Sequence, residues 1–237
     1  MNNLILVRHG QSQWNLEKRF TGWVDIDLTE KGKSEAEYAG KLIKALNIEL
    51  HICFTSELKR AKNSLKIILD SLNQPNLKIK KAWELNERHY GELTSLNKDE
   101  VLKKHGAKQV QVWRRSYNIP PPPMSSEHPY KNSIYNKINK NKIPEGESLK
   151  DTFERVTPYY EKKIKPLILS KKNILIVFHG NSCRALLKKI FNISNEKIIE
   201  FEIPTGNPLL IRFKSSAKIQ DYKYLDSKRA KKILYNI

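Results

Sequence analysis

Two aliphatic runs dominate the hydrophobic pattern of the chain. Leu4-Ile5-Leu6-Val7 and Ile174-Leu175-Ile176-Val177-Phe178 show no polar alternation, as expected of strands buried on both faces of a parallel sheet. Each run ends in the same dipeptide, at His9-Gly10 and at His179-Gly180. Between Thr29 and Asn47, the apolar positions Ala36, Ala39, Leu42, Ile43 and Leu46 keep helical spacing, with Thr29 as N-cap and Glu30 as a first-turn acid. Ile52-Cys53-Phe54 reads as another strand, and Leu58, Ala61, Leu65, Ile68, Leu69 and Leu72 then mark one face of a helix. Phe153, Val156, Tyr160 and Ile164 predict a helix from Leu149, kinked at Pro158 and ending close to Pro166. After His179-Gly180 the apolar residues Ala185, Leu186, Leu187, Ile190 and Phe191 predict a helix, and Leu209-Leu210-Ile211 and Tyr222 to Tyr224 supply late strands.

Strands alternating with helices of this length predict an α/β fold of three layers, with a largely parallel central sheet flanked by helices. The middle departs from the pattern. Residues 116 to 147 contain Pro120-Pro121-Pro122-Pro123 and then polar sequence with no apolar period, so they read as a long surface excursion within one domain spanning 1–237. With 237 residues and 39% hydrophobic composition the chain can fill a core of that kind. Its longest apolar run falls far short of the ~20 residues a membrane span needs, and Met1-Asn2-Asn3-Leu4-Ile5 lacks the basic flank of a secretory signal. Cys53 and Cys183 lie in apolar segments and make no disulfide framework, which points to a reducing, cytoplasmic setting.

Charge changes the picture more than composition does. Lys and Arg number 44 against 25 Asp and Glu, a formal +19. Lysine is spread along the whole chain beside Asn and Ile, so the excess reads as a solvated basic surface rather than a nucleic-acid stripe, and it favours anionic ligands in general. The decisive question is whether Arg and His stand together at strand ends. In parallel sheets ligands bind outside the carboxyl ends of strands, where His9 and His179 would share one edge with Arg8. A neutral imidazole with one nitrogen fixed by a hydrogen bond can accept a phosphoryl group on the other. Phosphoryl transfer also needs placed positive charge, which Arg8 and Arg60 can supply, and a general acid or base, for which Trp83-Glu84-Leu85-Asn86-Glu87-Arg88-His89-Tyr90-Gly91 offers candidates. There is no Gly-rich loop with Lys-Ser/Thr, no Cys-x-x-Cys and no His-x-x-x-His, so nucleotide and structural-metal readings lack support.

Leu6-Val7-Arg8-His9-Gly10-Gln11-Ser12-Gln13-Trp14-Asn15 resembles the signature of the histidine phosphatase superfamily. Further blocks, Arg19 to Trp23, Thr55 to Ala61, Leu85 to Gly91, Leu96 to Lys98, Val112 to Arg115, Pro144 to Leu149, His179 to Ser182 and Ile203 to Leu209, resemble the 2,3-bisphosphoglycerate-dependent phosphoglycerate mutases in order along nearly the whole chain. The resemblance implies His9 as phosphohistidine, Glu87 as proton donor and acceptor, and His179 as transition-state stabiliser. It implies that Arg8, Ser12, Asn15, Arg60, Gly180 and Asn181 line a phosphate pocket, and that Thr21, Gly22, Tyr90, Lys98, Arg114 and Arg115 hold the glycerate carboxylate and the second phosphate. It further implies priming by 2,3-bisphosphoglycerate, no metal, and a homodimer or homotetramer acting on small anionic phosphoglycerates without nucleic-acid or membrane partners. The chain departs from its relatives at Leu93-Thr94-Ser95-Leu96-Asn97-Lys98, where they run Leu-Gln-Gly-Leu-Asn-Lys, at Phe178 and Cys183, expected behind the site, and in a shorter tail after Tyr224 whose Lys228, Arg229, Lys231 and Lys232 could fold over the ligand.

Three functions compete at this level. A mutase would interconvert 3- and 2-phosphoglycerate, whereas a phosphatase on the same scaffold would pass the phosphoryl group from His9 to water. Lys98, Arg114 and Arg115 favour the mutase, which must grip a doubly phosphorylated intermediate. A non-catalytic polyanion binder driven by charge alone explains none of the motif placement.

Overall fold

The computed structural model describes residues 2–135, 143–214 and 218–230. In chain order it contains β1 (Asn2–Arg8), α1 (Gln13–Leu16), α2 (Glu30–Lys44), β2 (Ile52–Thr55), α3 (Lys59–Ser71), β3 (Ile79–Lys81), α4 (Lys98–Arg115), α5 (Lys131–Tyr135) and α6 (Leu149–Tyr159). A π-helical turn (Tyr160–Ile164), α7 (Lys165–Leu169), β4 (Ile174–Phe178), α8 (Gly180–Phe191), α9 (Asn195–Ile198), β5 (Leu209–Phe213) and β6 (Ile219–Tyr224) complete it. The strands form one sheet in the order β3-β2-β4-β1-β5-β6. β1, β2, β3 and β4 run parallel, while β5 and β6 add an antiparallel edge.

Alternation along the strands separates two cores. Leu4, Leu6, Ile174, Ile176 and Phe178 face Val156, Ile164, Ile168, Ala185 and Leu186, whereas Ile5, Val7, Leu175 and Val177 face Ala36, Ala39, Ile43, Leu65 and Ile68. Helices α6, α7 and α8 therefore cover one face and α2 and α3 the other, giving the three layers expected. Cys53 and Cys183 are buried free thiols, and burial pushes both up to about 12. Phe178 and Cys183 sit in the first core, behind the sheet edge.

One sequence expectation is met closely and one needs amendment. The helical path from Leu149 ends at Leu169, shortly after Pro166. Pro158 lies inside α6 and has no N–H for the i→i−4 ladder; the path widens into the π turn and resumes in α7, with Pro166 in its first turn. The Pro-rich excursion is not wholly superficial. Pro122 accepts from the Glu92 N–H at 2.9 Å, Met124 donates its N–H to Glu145 at 2.8 Å, and the Met124 side chain packs with Trp14 and Trp23. Both described ends of the excursion thus brace the turn that follows Glu87; residues 136–142 lie outside the described residues, as do Lys231 and Lys232 of the basic tail.

Candidate active site

The register of β1 against β4 pairs Arg8 with Phe178, so the next residue on each strand is a histidine. The His9 N–H donates to the Phe178 carbonyl at 3.0 Å, and the two imidazoles meet edge to face with centroids 4.9 Å apart. Nδ1 of His9 lies 2.6 Å from the Gly10 carbonyl oxygen. A carbonyl only accepts, so Nδ1 carries the proton and Nε2 keeps its lone pair. Burial, then the Arg60 and Arg8 charges, hold His9 well below the usual imidazole range. His179 is depressed in the same way by burial, Arg60 and His9; its Nε2 meets the Ser56 hydroxyl at 2.8 Å. Gly10 permits this placement because a Cβ there would come within 2.0 Å of the Gly32 carbonyl oxygen.

Arginines surround the pair. Arg60 is 1% exposed and donates to the Val24 and Gly22 carbonyls at 2.9 and 2.7 Å; burial brings its guanidinium down to about 10, leaving it charged at neutral pH. Arg8 donates through one terminal nitrogen to the Ile203 carbonyl at 2.7 Å. Its Nε, the Thr21 hydroxyl and Nδ1 of His179 are buried with no hydrogen-bond partner among the described residues. Buried polar atoms are ordinarily paired, so these three mark where a polar ligand is needed.

Glu87 lies across from the histidines. One carboxylate oxygen accepts from the Arg88 N–H at 2.8 Å and from the Asn181 backbone and side-chain N–H groups at 3.1 and 2.8 Å. Burial alone would raise this carboxyl, but the Arg88 and Asn181 hydrogen bonds and the Arg60 and Arg8 charges outweigh it and hold Glu87 below the ordinary glutamate range. Its loop is fixed from behind: Arg155 on α6 donates to the Glu84, Asn86 and Glu87 carbonyls at 2.6, 3.1 and 3.0 Å and forks onto Glu147 at 2.6 and 2.9 Å.

These groups open into a cleft of about 430 Å³. Its wall includes His9, Asn15, Thr21, Glu87, Tyr90, Gly180 and Asn181, eight cationic side chains (Arg8, Arg19, Arg60, Lys98, Arg114, Arg115, Arg184 and Arg229) and only two carboxylates, Glu87 and Glu202. An excess of that size selects a ligand with several negative charges. Lys98 opens α4 and Arg114 and Arg115 close it, so one helix brings three of the expected cations to the cleft. Three expected site residues stand off the wall. Ser12 caps α1 in a reciprocal pair with Asn15, and Gly22 turns at φ +53° with its carbonyl on Arg60. His179 also stands behind it, next to His9. Arg229, expected in the basic tail over the ligand, does stand on the wall. Sequence reasoning missed Arg184, three residues beyond Asn181 on α8, and Arg19 as a cleft residue; a lone Arg carries no motif, and only the i, i+3 spacing from Asn181 was a signal.

The histidine phosphatase superfamily (branch 1) profile matches residues 4–221. A 2,3-bisphosphoglycerate-dependent phosphoglycerate mutase of Pelagibacter ubique (strain HTCC1062) is 51% identical over 99% of each chain. The chain belongs to this mutase family. A second such mutase, of Caulobacter sp. (strain K31), is 48% identical over 96% of each chain. Among solved structures, Bacillus stearothermophilus YhfR superposes with a TM-score of 0.70 at 21% identity, covering 93% of this chain and 95% of that one. A mycobacterial glucosyl-3-phosphoglycerate phosphatase gives 0.69 at 18% identity over 94% and 97%. These two likenesses show the fold: both proteins share the sheet and helix arrangement of this chain. No helix among the described residues is long and apolar enough to cross a membrane.

Proposed function

We propose that the chain interconverts 3-phosphoglycerate and 2-phosphoglycerate through a phosphohistidine at His9, primed by 2,3-bisphosphoglycerate. The observation that carries this reading is the His9 ring: Nδ1–H held by the Gly10 carbonyl, Nε2 free, kept neutral by the burial and cations that would also bind its substrate. The doubly phosphorylated substrate fits on the chemistry of the wall, with eight cations against two carboxylates and three buried polar atoms lacking partners.

In this mechanism Nε2 of His9 takes the phosphoryl group as the bond from phosphorus to the substrate oxygen breaks, and Glu87 returns a proton to that oxygen. In the other direction Glu87, ionised in the free enzyme, takes the hydroxyl proton as the N–P bond breaks and the new O–P bond forms. His179 donates to a phosphoryl oxygen in the transition state, with Arg8 and Arg60. Its neutral ring can serve if Nε2 accepts from Ser56 and Nδ1 holds the proton. Lys98, Arg114 and Arg115, with Thr21 and Tyr90, hold the carboxylate and second phosphate while the intermediate reorients, which favours transfer over hydrolysis. Ser12, Asn15 and Gly22 shape the pocket floor through the α1 cap and the Arg60 anchor, and Gly180 at the start of α8 lies beside the Arg8 guanidinium and the Glu87 carboxylate.

The test is phosphoglycerate turnover with and without added bisphosphate, combined with peptide mapping of the acid-labile adduct. Turnover stimulated by bisphosphate, with label on the peptide containing residue 9, is expected; Glu87→Gln should lose about 10²- to 10⁴-fold in kcat. A labelled peptide lacking residue 9 would overturn the assignment. The same reading treats residues 1–237 as one catalytic domain in a cytoplasmic homodimer or homotetramer, which sedimentation of the purified protein would check.

A further inference from the structure

Asn181 reaches Glu87 with a side chain that has two nearly isosteric orientations. In one, Nδ2 donates to the Glu87 carboxylate; in the other, Oδ1 would face that carboxylate, acceptor against acceptor. The structure holds the first, with Nδ2 at 2.8 Å from Glu87 and at 3.2 Å from the Tyr90 hydroxyl. What fixes it stands on the far side of the amide. Arg184, one turn along α8, donates from a terminal nitrogen to Oδ1 of Asn181 at 2.9 Å. A guanidinium has donors only, so it accepts Oδ1 as neighbour and rejects the flipped NH2. Arg184 is itself fixed, because its Nε donates to the Phe201 carbonyl at 2.5 Å. The three groups form one line of hydrogen bonds from the Phe201 backbone through Arg184 and Asn181 to Glu87.

We propose that Arg184 is a positioning residue for proton transfer, locking the Asn181 amide in the orientation that donates to Glu87. This rests on the reading of Glu87 as the proton donor and acceptor. The consequence concerns the carboxylate. Hydrogen bonds to the ionised form favour it, so loss of the Asn181 donor destabilises ionised Glu87 and raises its pKa. The other groups around Glu87 remain in place: Arg8 from β1, Arg60 from α3, Lys98 from α4, Tyr90 from its own loop and the Cys183 thiol from α8. Burial lowers the Arg184 guanidinium to about 10, so it stays charged throughout the working pH range.

The experiment is the pH profile of kcat/KM, which reports free-enzyme groups, for the full-length parent, Arg184→Met, Arg184→Lys, Asn181→Ala and the Arg184→Met/Asn181→Ala pair. Glu87→Gln identifies the acid limb. Arg184→Met should lower kcat by up to about a hundredfold, the scale of a small misplacement of reacting groups, and move the acid limb up by about one pH unit. Arg184→Lys, which keeps the charge and one end of the relay, should recover part of that shift, and it carries the test if the Met variant melts early. The Arg184 charge also reaches Glu87 directly, so in the Asn181→Ala background Arg184→Met should still move the limb, but by clearly less than in the parent. An Arg184 that merely binds substrate would raise KM with the acid limb unmoved, and that result overturns the proposal. So does additivity of the two limb shifts. If Glu87→Gln keeps its rate and its acid limb, the reading of Glu87 fails and this proposal falls with it; a lost limb in Glu87→Gln beside an unmoved one in Arg184→Met rejects the role of Arg184 alone.

Discussion

Arg155→Met should separate the scaffold from the chemistry. Arg155 and Glu147 have side chains only 7% and 3% exposed, paired at 2.6 Å. The guanidinium makes five hydrogen bonds, three of them to the carbonyls of Glu84, Asn86 and Glu87 and two to Glu147. Methionine fills much of the same volume and makes none of them. Among the described residues Glu147 would keep only the His89 N–H, at 2.8 Å, as partner for a buried charge. Breaking one half of such a pair costs about 3–5 kcal/mol. At roughly 2–4 °C per kcal/mol for a chain of this size, thermal unfolding should fall by roughly 6–20 °C. Replacing both partners, as Arg155→Met/Glu147→Gln, removes the orphaned charge and should recover part of the loss. Differential scanning fluorimetry and turnover at a temperature where all variants are folded give the two readouts. Turnover should fall in both variants, since the Glu87 carbonyl is untethered in both. A single variant that melts within about 2 °C of the parent, below the shift expected for 1 kcal/mol, would refute the view that this pair holds the Glu87 loop.

Other predictions follow from backbone geometry and burial. Ser95 sits at φ +72°, and a side chain in the left-handed region costs roughly 1–2 kcal/mol; Ser95→Gly should raise the melting temperature by a few degrees, and a lower one would show the strain to be compensated. Gly10→Ala should abolish turnover and lower stability, because its Cβ would lie 2.0 Å from a backbone oxygen with no flexible group to yield; near-parental activity would contradict the close approach. Stability should also fall as pH drops from 7 to 5. Burial, Arg155 and His128 bring His89 down to about 3, and His9 and His179 are likewise depressed, so between about pH 3 and 6.5 the unfolded chain binds protons the folded one refuses. His89 contributes about 2 kcal/mol less at pH 5 than at pH 7, His9 and His179 act in the same direction, and urea midpoints unchanged over that interval would contradict the neutral assignment.

The parts legible in the sequence are those where burial is one-sided or total. β1 and β4 are buried on both faces and read as uninterrupted aliphatic runs, and their shared direction in the sheet carries His9 and His179 to one edge. Helix α2 has a regular inward face and a threonine cap, and Thr29 does accept the Gly32 N–H at 3.0 Å. Helix α4 leaves no such signal, for the opposite reason. Of its residues only Val101 and Val110 are buried, and Gly106 interrupts it at φ +75°, so no apolar stripe runs its length. β3, with the sequence Ile-Lys-Lys, is a half-exposed edge strand. The antiparallel direction of β5 and β6 leaves no trace in an apolar pattern, and the bracing by Pro122 and Met124 depends on backbone contacts that no periodicity reports.

The same cations settle two matters at the site that are usually considered apart. Arg8 and Arg60 stand close enough to His9 to depress its proton affinity and also line the cleft that takes the anion. In the free enzyme their field, added to burial, keeps Nε2 unprotonated and therefore nucleophilic. The remaining close partner of His9, the Gly10 carbonyl, pushes the other way and favours the protonated ring. In the proposed mechanism a bound phosphoryl dianion offsets the same two charges at the moment the nitrogen attacks, so the cations no longer oppose charge building on the ring as the N–P bond forms. Glu87 shifts in the same direction. Its ionised state rests in part on Arg8 and Arg60, and an arriving anion draws on those charges, raising its proton affinity as it becomes the base. One pair of guanidinium groups thus lowers the proton affinity of both histidine and glutamate in the free protein, and the charge of the substrate relieves both: the imidazole is freed to take on positive charge and the carboxylate to take a proton.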